Sequence, residues 1–435
     1  MLTDLHFTAN RIFRFICTPS FFELEFQPLS PKHLAFSKNL SAADRQKLPF
    51  RKPVFPEVDN ARLVEQSQLY GLAKEKLPTW WERADLIFPD RVALEQCSSE
   101  LVARWKCRLI EPEIEHLIDV CAGLGVDSFF LGTNARKLTA FESDPNRARF
   151  LHHNLERLRP EGVVLKPEPF EVSSLEHINF NEEHVLVYAD PDRRSAEGQR
   201  LSSWKDTRPS VQELHSFLRI RPSVLLVKLS PMDDPDEILE ALPGADSVWI
   251  VSVSNEVKEV LIRWDFRKEN VLPVFRVVDI NKKGQYAEIE IPQEQVDSPA
   301  IGSPSPNQYL LDPWAGIRKG KSAMLLASAE KWTLLSKEAR LFASLEEPLD
   351  FPGRVFQVES VFDSLAEFSR QFKSKGLHVV SRNFPQSADD MRKKYKWGES
   401  GDQFLFCFEN SSGRKSIVLT HRLENRNSPD FRKQI

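Results

Sequence analysis

A chain of 435 residues with 41% hydrophobic content can bury more than one core, since a single core stops growing at about 250 to 300 residues; two or three domains are expected. With 59 Lys+Arg against 63 Asp+Glu the formal net charge is −4, which excludes a strong molecule-wide field for a polyanion and leaves nucleic-acid binding to a local patch. The cysteines Cys17, Cys97, Cys107, Cys121 and Cys407 are odd in number and scattered without C-x-x-C or Cys/His spacing, so a reduced cytoplasmic location is expected and no metal site. The start, Met1 to His6, lacks a basic segment leading into an apolar one, and the apolar runs fall short of about 18 residues; neither secretion nor a membrane span is expected.

Residues 1–105 read as an amphipathic helical region, interrupted by the proline-rich connector Leu48 to Pro56. From Leu117 the character changes. Short apolar runs at Leu117 to Val120, Lys137 to Phe141, Val185 to Tyr188 and Val224 to Leu229 alternate with helical segments such as Pro145 to Leu158. That alternation predicts an α/β fold for residues 106–291, a Rossmann-like parallel sheet with helices on both faces. The runs Val248 to Val253 and Phe275 to Ile280 extend it, and Asn281-Lys282-Lys283-Gly284 predicts a terminal hairpin into Gln285 to Ile291. Residues 292–306 carry four prolines among Ser, Gln and Gly and read as a linker. Beyond it, residues 307–352 suggest a small ferredoxin-like or connecting region that starts with a helix. Residues 353–427 then give strand, helix, strand, helix and two hairpin strands, a small α+β domain. His152, His153 and His177 have no carboxylate or cysteine at ligand spacing and read as helix-surface residues.

The chemistry concentrates on the glycine turn Asp119-Val120-Cys121-Ala122-Gly123-Leu124-Gly125-Val126-Asp127. A strand running into such a turn delivers open backbone at the carboxyl edge of a sheet. A dinucleotide site would want a third glycine, and Ser128 stands there. A second strand ends at Glu142-Ser143, where a carboxylate can take both hydroxyls of a ribose, and a fourth ends at Asp190-Pro191 beside the same crevice.

With these three motifs, and Asn154 behind the second, the chain resembles the class I S-adenosylmethionine-dependent methyltransferases. Glu95 to Glu100, Asp190-Pro191-Asp192-Arg193-Arg194, Ser381 to Pro385 and Arg392-Lys393-Lys394 are similar to the bacterial members that carry a THUMP-like C-terminal domain, a resemblance running from about residue 60 to 425. It implies S-adenosyl-L-methionine as cofactor, with Gln96, Ser98 and Ser99 near its methionine end, Asp119, Cys121, Ala122, Gly123, Gly125 and Asp127 around its amino-acid part, and Glu142 and Ser143 at the ribose. Ser98 and Ser99 also suit a simple helix cap. Where such enzymes place an acid for the adenine amino group this chain has Pro169; Phe170 is then the residue to cover the ring, with Glu168 or Glu171 as substitutes.

For the transfer itself, Asp190 and Pro191 stand at the crevice, Asp190 to orient an acceptor or serve as a weak base, or simply as a capping carboxylate. The aromatic residue that clamps a flipped base after Asp-Pro-Pro is missing, and Arg193, expected at the catalytic rim, and Arg194 stand in its place, to meet an anionic or aromatic substrate or simply to be solvated. No cysteine is placed for attack on a pyrimidine ring. THUMP domains elsewhere dock on RNA, so structured RNA, tRNA or rRNA methylated on a base nitrogen, is the expected partner by resemblance, with Arg382, Lys393 and Lys394 as substrate contacts. Between Gly376 and Ile435 eleven Lys/Arg face seven Asp/Glu. The stretch Met391 to Trp397 mixes cations with rings as RNA contacts would, or is a helix with a solvated basic face and its aromatics in the core. A methyltransferase for a small molecule or protein, and a non-catalytic cofactor- and RNA-binding module, remain the other readings.

Overall fold

Polar caps start most of the N-terminal helices. Ser41, Asp59, Asp90 and Ser99 each accept a backbone N–H from the first turn that follows, so the chain breaks into α1 (Pro31–Lys38), α2 (Ala42–Lys47), α3 (Asn60–Lys76), α4 (Pro78–Glu82), α5 (Arg91–Gln96) and α6 (Glu100–Lys106). Pro78 follows the end of α3 and opens α4. Leu63, Val64, Ser67, Tyr70 and Ala73 recur at helical spacing on α3 and are all buried, each large apolar side chain contributing about 1.5–3 kcal/mol. The proline-rich connector is pinned by Asn60, whose amide donates to the carbonyls of Leu48, Arg51 and Lys52 and accepts from the Val54 N–H.

This computed structural model describes residues 29–435 apart from 84, 160, 183, 193–202, 293–297, 349, 373–375, 424–432 and 435. The described residues up to Leu229, together with Arg263–Asn270, make one unit; Ser230–Ile262 and those from Val271 onward make a second. Among the described residues no helix is long and apolar enough to cross a membrane.

In the first unit the chain continues through β1 (His116–Asp119), α7 (Val126–Leu131), β2 (Lys137–Phe141), α8 (Pro145–Leu158), β3 (Val163–Lys166), β4 (Val185–Ala189), α9 (Val211–Leu218) and β5 (Val224–Leu229). The strands are parallel in the order β3-β2-β1-β4-β5. Every residue of β1 and β4 is buried, as strands covered on both faces must be. The order reverses between β1 and β4, and at that switch point the loops after the two strands diverge and leave a crevice at their carboxyl ends. One polar side chain ties the helical region to a helix of this sheet: buried Asn154 on α8 clamps both backbone groups of Ile87, accepting from its N–H at 3.0 Å and donating to its carbonyl at 2.8 Å. Within the helical region, Gln66 on α3 holds the next residue, donating to the Phe88 carbonyl at 2.6 Å.

The second unit holds α10 (Pro235–Ala241), β6 (Ser247–Val253), β7 (Glu256–Asp265) as far as Ile262, β8 (Val274–Ile280) and β9 (Gln285–Ile291). β6 and β8 are parallel, and β8 and β9 form the expected antiparallel hairpin, with Gly284 at positive φ in its turn. β7 was not anticipated; it follows β6 through Ser254 and Asn255, both in the left-handed conformation that a two-residue hairpin turn demands.

Residues 309–344, expected to begin with a helix, begin with β10 (Tyr309–Pro313), followed by α11 (Ser322–Ala329), β11 (Thr333–Ser336) and β12 (Leu341–Ser344). These strands share one seven-stranded sheet with β13 (Gly353–Phe362), β14 (His378–Arg382), β15 (Gln403–Glu409) and β16 (Lys415–Arg422), in the order β11-β12-β10-β13-β16-β15-β14. Along β15, Leu405 and Cys407 enter one core while Phe406 and Phe408 enter another, the period of two that a strand buried on both faces shows. The helices α12 (Leu365–Gln371) and α13 (Ala388–Tyr395) put Phe368 and Met391 into the first of those cores.

Candidate functional site

The glycine turn is built as its spacing implied. Gly123 and Gly125 have φ of 55° and 82°, a region that costs other residues, and the Gly125 N–H closes the turn onto the Ala122 carbonyl at 2.8 Å. Their roles differ. A Cβ on Gly123 would meet open space, whereas one on Gly125 would lie 2.3 Å from Leu151 Cδ1 of α8. Gly123 presents bare backbone, and Gly125 lets α8 close on the turn. Gly125→Ala is therefore expected to cost about 1–2 kcal/mol, read as a lower thermal midpoint by circular dichroism.

A cavity of about 1360 Å³ opens at the carboxyl ends of β1 and β4. Of the expected residues, Gln96, Ser98, Asp119, Cys121, Ala122, Gly123, Asp127, Glu142, Ser143, Phe170, Asp190 and Pro191 line it. Two do not. Ser99 is the N-cap of α6, accepting from Val102 N–H, and Gly125 sits behind the turn against α8. Arg193 and Arg194 fall outside the described residues. On the adenine question, Phe170 and Glu171 line the cavity and Glu168 does not; Phe170 stands edge-on to Phe141 with ring centres 5.1 Å apart.

The carboxylates are held in different ways. Asp119 is 1% exposed and accepts from Ser128 Oγ at 2.5 Å and from the Cys121 N–H at 3.0 Å. Among the described residues no cation pairs with it, and burial pushes its carboxyl up to about 7 against those two hydrogen bonds. Ser128, which argued against a dinucleotide, is thus the residue that orients Asp119. Glu142 is also pushed up by burial, and its Oε1 accepts the Asp144 N–H at 2.8 Å.

Asp127 has the opposite surroundings. Burial opposes its charge, but Lys106, wholly buried on α6, reaches it at 2.7 Å and holds it below the usual carboxylate range; Ser98 Oγ and Tyr188 Oη also donate to it at 2.7 Å. Ser98 and Tyr188 both bond its Oδ2, while Lys106 pairs with Oδ1, so Asp127 is anchored in the floor of the cavity.

Asp190, at the rim, is ion-paired with Lys228 Nζ from β5, and its own N–H donates to Cys121 Sγ at 2.9 Å. Burial pushes the Cys121 thiol well above its ordinary value, so this cysteine is a packing and hydrogen-bonding group. Beyond Pro191, Asp192 and Arg208 exchange two backbone hydrogen bonds, which brings Thr207, Arg208, Ser210 and Glu213 to the same cavity.

Lys106, Tyr188 and Lys228 were missed. The two lysines left a trace in the sequence: Lys228 is a lone charge in the apolar run Val224 to Leu229, and Lys106 occupies the helical position four beyond buried Val102. A single charge at a core position needs a buried partner, which the spacing alone does not name.

The basic residues expected at the substrate lie in the second unit. Lys393 and Lys394 are exposed on α13, while Trp397 packs in the core with Tyr395 stacked on it at 4.7 Å, so the basic stretch has a solvated face with its aromatics turned inward. Arg382 ends β14, and its guanidinium pairs with Asp312 at 2.8 Å. Among the described residues no cluster of His, Cys, Asp and Glu is grouped to hold a metal ion.

Residues 353–422 match the family model described as THUMP domain-like. The chain carries a THUMP-like domain. It is similar over 90% of its length, and 98% of the other chain, to the crystal structure of a "putative methyltransferase" from Porphyromonas gingivalis W83, at 24% identity and a TM-score of 0.73. It therefore has a methyltransferase fold, the α/β architecture expected above together with the THUMP-like C-terminal part. Lower-scoring likenesses include an rRNA methylase from Streptococcus thermophilus (16% identity, 37% of this chain and 92% of that one, TM-score 0.27) and a precorrin-6y C5,15-methyltransferase from Geobacter metallireducens GS-15 (15%, 38% and 85%, 0.24). No curated protein matches the sequence.

Proposed function

We propose that the cavity binds S-adenosyl-L-methionine and that the chain methylates a base nitrogen of structured RNA, tRNA or rRNA. Asp119 carries the reading. A buried carboxylate with no cation beside it among the described residues, at the mouth of a glycine turn, is the counter-ion that the ammonium of an amino-acid ligand requires. Around it the chain provides the open backbone at Gly123, Glu142 for a ribose diol, Phe170 for an aromatic ring, and Gln96 and Ser98 for the methionine end. When bound, the cofactor supplies an electrophilic methyl group on sulfur.

The protein's share is positioning. Asp190, fixed by Lys228 on one oxygen, keeps its other oxygen to accept an acceptor N–H and align the nitrogen lone pair for in-line displacement, with Pro191 stiffening the rim. The proton leaves after methylation, once the nitrogen has become acidic, so Asp190 does not need to be a strong base. RNA as acceptor is supported by the THUMP-like domain and by the Lys/Arg excess after Gly376. The described cysteines Cys97, Cys107, Cys121 and Cys407 are free thiols, in keeping with action in the reducing cytoplasm.

The test is mass spectrometry of nucleosides from total RNA of deletion and parent cells, followed by labelled methyl transfer to fractionated RNA. One modified nucleoside should vanish on deletion and return with the gene; an unchanged nucleoside profile and no transfer to any RNA fraction would remove RNA as substrate. Asp190→Asn should lower the transfer rate by about a hundredfold while cofactor affinity in calorimetry stays within about twofold, because the side chain touches acceptor and not donor.

A further inference from the structure

Asp312, on β10, is 1% exposed and is the counter-ion of three arginines at once. Arg318 meets it at 3.2 Å, Arg382 at 2.8 Å and Arg354 through both Nε, at 3.1 Å, and Nη2, at 2.5 Å. One carboxylate cannot neutralise three guanidinium groups, so positive charge is left over. Burial and the neighbouring Arg382 push Arg318 down to about 10, and burial lowers Arg382 as well, the response of cations short of negative charge.

The excess faces a cavity. Arg318, Arg382, Asn383, Arg340, Ala339 and Glu338 line an open pocket of about 620 Å³. Arg340 forms no ion pair among the described residues, and Glu338 is an exposed carboxylate. Four guanidinium groups thus stand against two carboxylates, one of them spent in the protein. Arg340 and Asn383 both hold positive φ, a backbone state that non-glycine residues keep only where the surroundings impose it.

We infer that this pocket is a binding site for a phosphate oxyanion, gripped by Arg318, Arg340 and Arg382 and by the Asn383 side-chain amide. Guanidinium forks match the oxygens of a phosphate, and a site already carrying unbalanced positive charge gains on taking up a dianion. Asp312 holds the forks in place without filling their donors. The inference stands apart from methyl transfer: its residues run from 312 to 383, the cofactor cavity's from 93 to 228, and loss of cofactor binding would leave it intact.

The experiment titrates inorganic phosphate into the full chain at constant ionic strength, with chloride as the balancing ion, by calorimetry and thermal shift. Saturable binding is expected, with a higher thermal midpoint than chloride produces. Arg340→Gln, which breaks no ion pair, should weaken it by about tenfold or more, and Glu338→Gln should strengthen it by a few-fold. Phosphate acting no differently from chloride, or an unchanged affinity in Arg340→Gln, would overturn the site. Arg382→Gln adds a check where it folds.

Two RNA oligonucleotides, one with a 5′-phosphate and one without, then identify the source. Competition by the phosphorylated strand alone assigns a terminal monoester, equal competition by both a backbone diester, and competition by neither a small phosphate ester; each keeps the phosphate site.

Discussion

Lys106→Met is expected to destabilise the protein by about 3–5 kcal/mol. The lysine is wholly buried and its ammonium lies 2.7 Å from Asp127. Removing it leaves Asp127 buried with the neutral donors Ser98 and Tyr188 and the field of Lys228. The variant should take up a proton at Asp127, so its deficit should widen as pH rises. Lys106→Met combined with Asp127→Asn should recover most of the loss, since no charge is then left without a partner. Denaturant midpoints for the two singles and the double measure this; a double no better than Lys106→Met would show that packing around α6 matters more than charge.

Asp119→Asn is expected to do two opposite things. On the proposed function it should weaken S-adenosylmethionine binding by about a hundredfold, the loss of a buried charge-assisted contact to the ammonium. It should also stabilise the ligand-free protein. The folded pKa, about 7, lies above the ordinary 3.8, so folding binds a proton at this site. The stability Asp119 contributes is complete below about 4 and is lost as pH rises through 7, where the buried charge stands unpaired. Asparagine mimics the protonated form. Its gain, on the order of 2 kcal/mol, should be full above pH 7 and fade towards pH 4.

Wild-type cofactor affinity should fall about tenfold per pH unit below 7, because binding must displace the proton, and Asp119→Asn should flatten that slope. Calorimetry across pH 5–8 reads the slope, and thermal midpoints in the same buffers read the stability. A flat wild-type slope would place the ammonium elsewhere.

Much of the first unit was legible because its signals are local. The apolar run ending at Asp119, the glycines at 123 and 125, and Glu142 and Asp190 at the ends of their strands each report the backbone they sit on, and parallel strands bring strand ends to one edge. Pro145 to Leu158 shows the apolar spacing and Asp144 cap of a helix, and α8 has those bounds. The region after the linker was less legible. β10, β11 and β12 are short, and β10 rests on partners about thirty or more residues further along the chain, so the pattern of four or five residues alone does not separate them from helix or loop.

What the sequence determined by itself is therefore the glycine turn, the parallel α/β order, and which carboxylates reach the crevice, since each depends on residues close together in the chain. What the tertiary structure alone decided is the state of those groups. Asp119 and Asp127 stand eight positions apart in one motif; one is raised by burial and the other held down by Lys106, 21 residues before it. The same holds for Asp190 with Lys228, and for Arg382, which read as a free substrate contact and proved to be one of three arginines on Asp312. Burial and long-range pairing set the charge of a side chain, and neither is written in its neighbours along the chain.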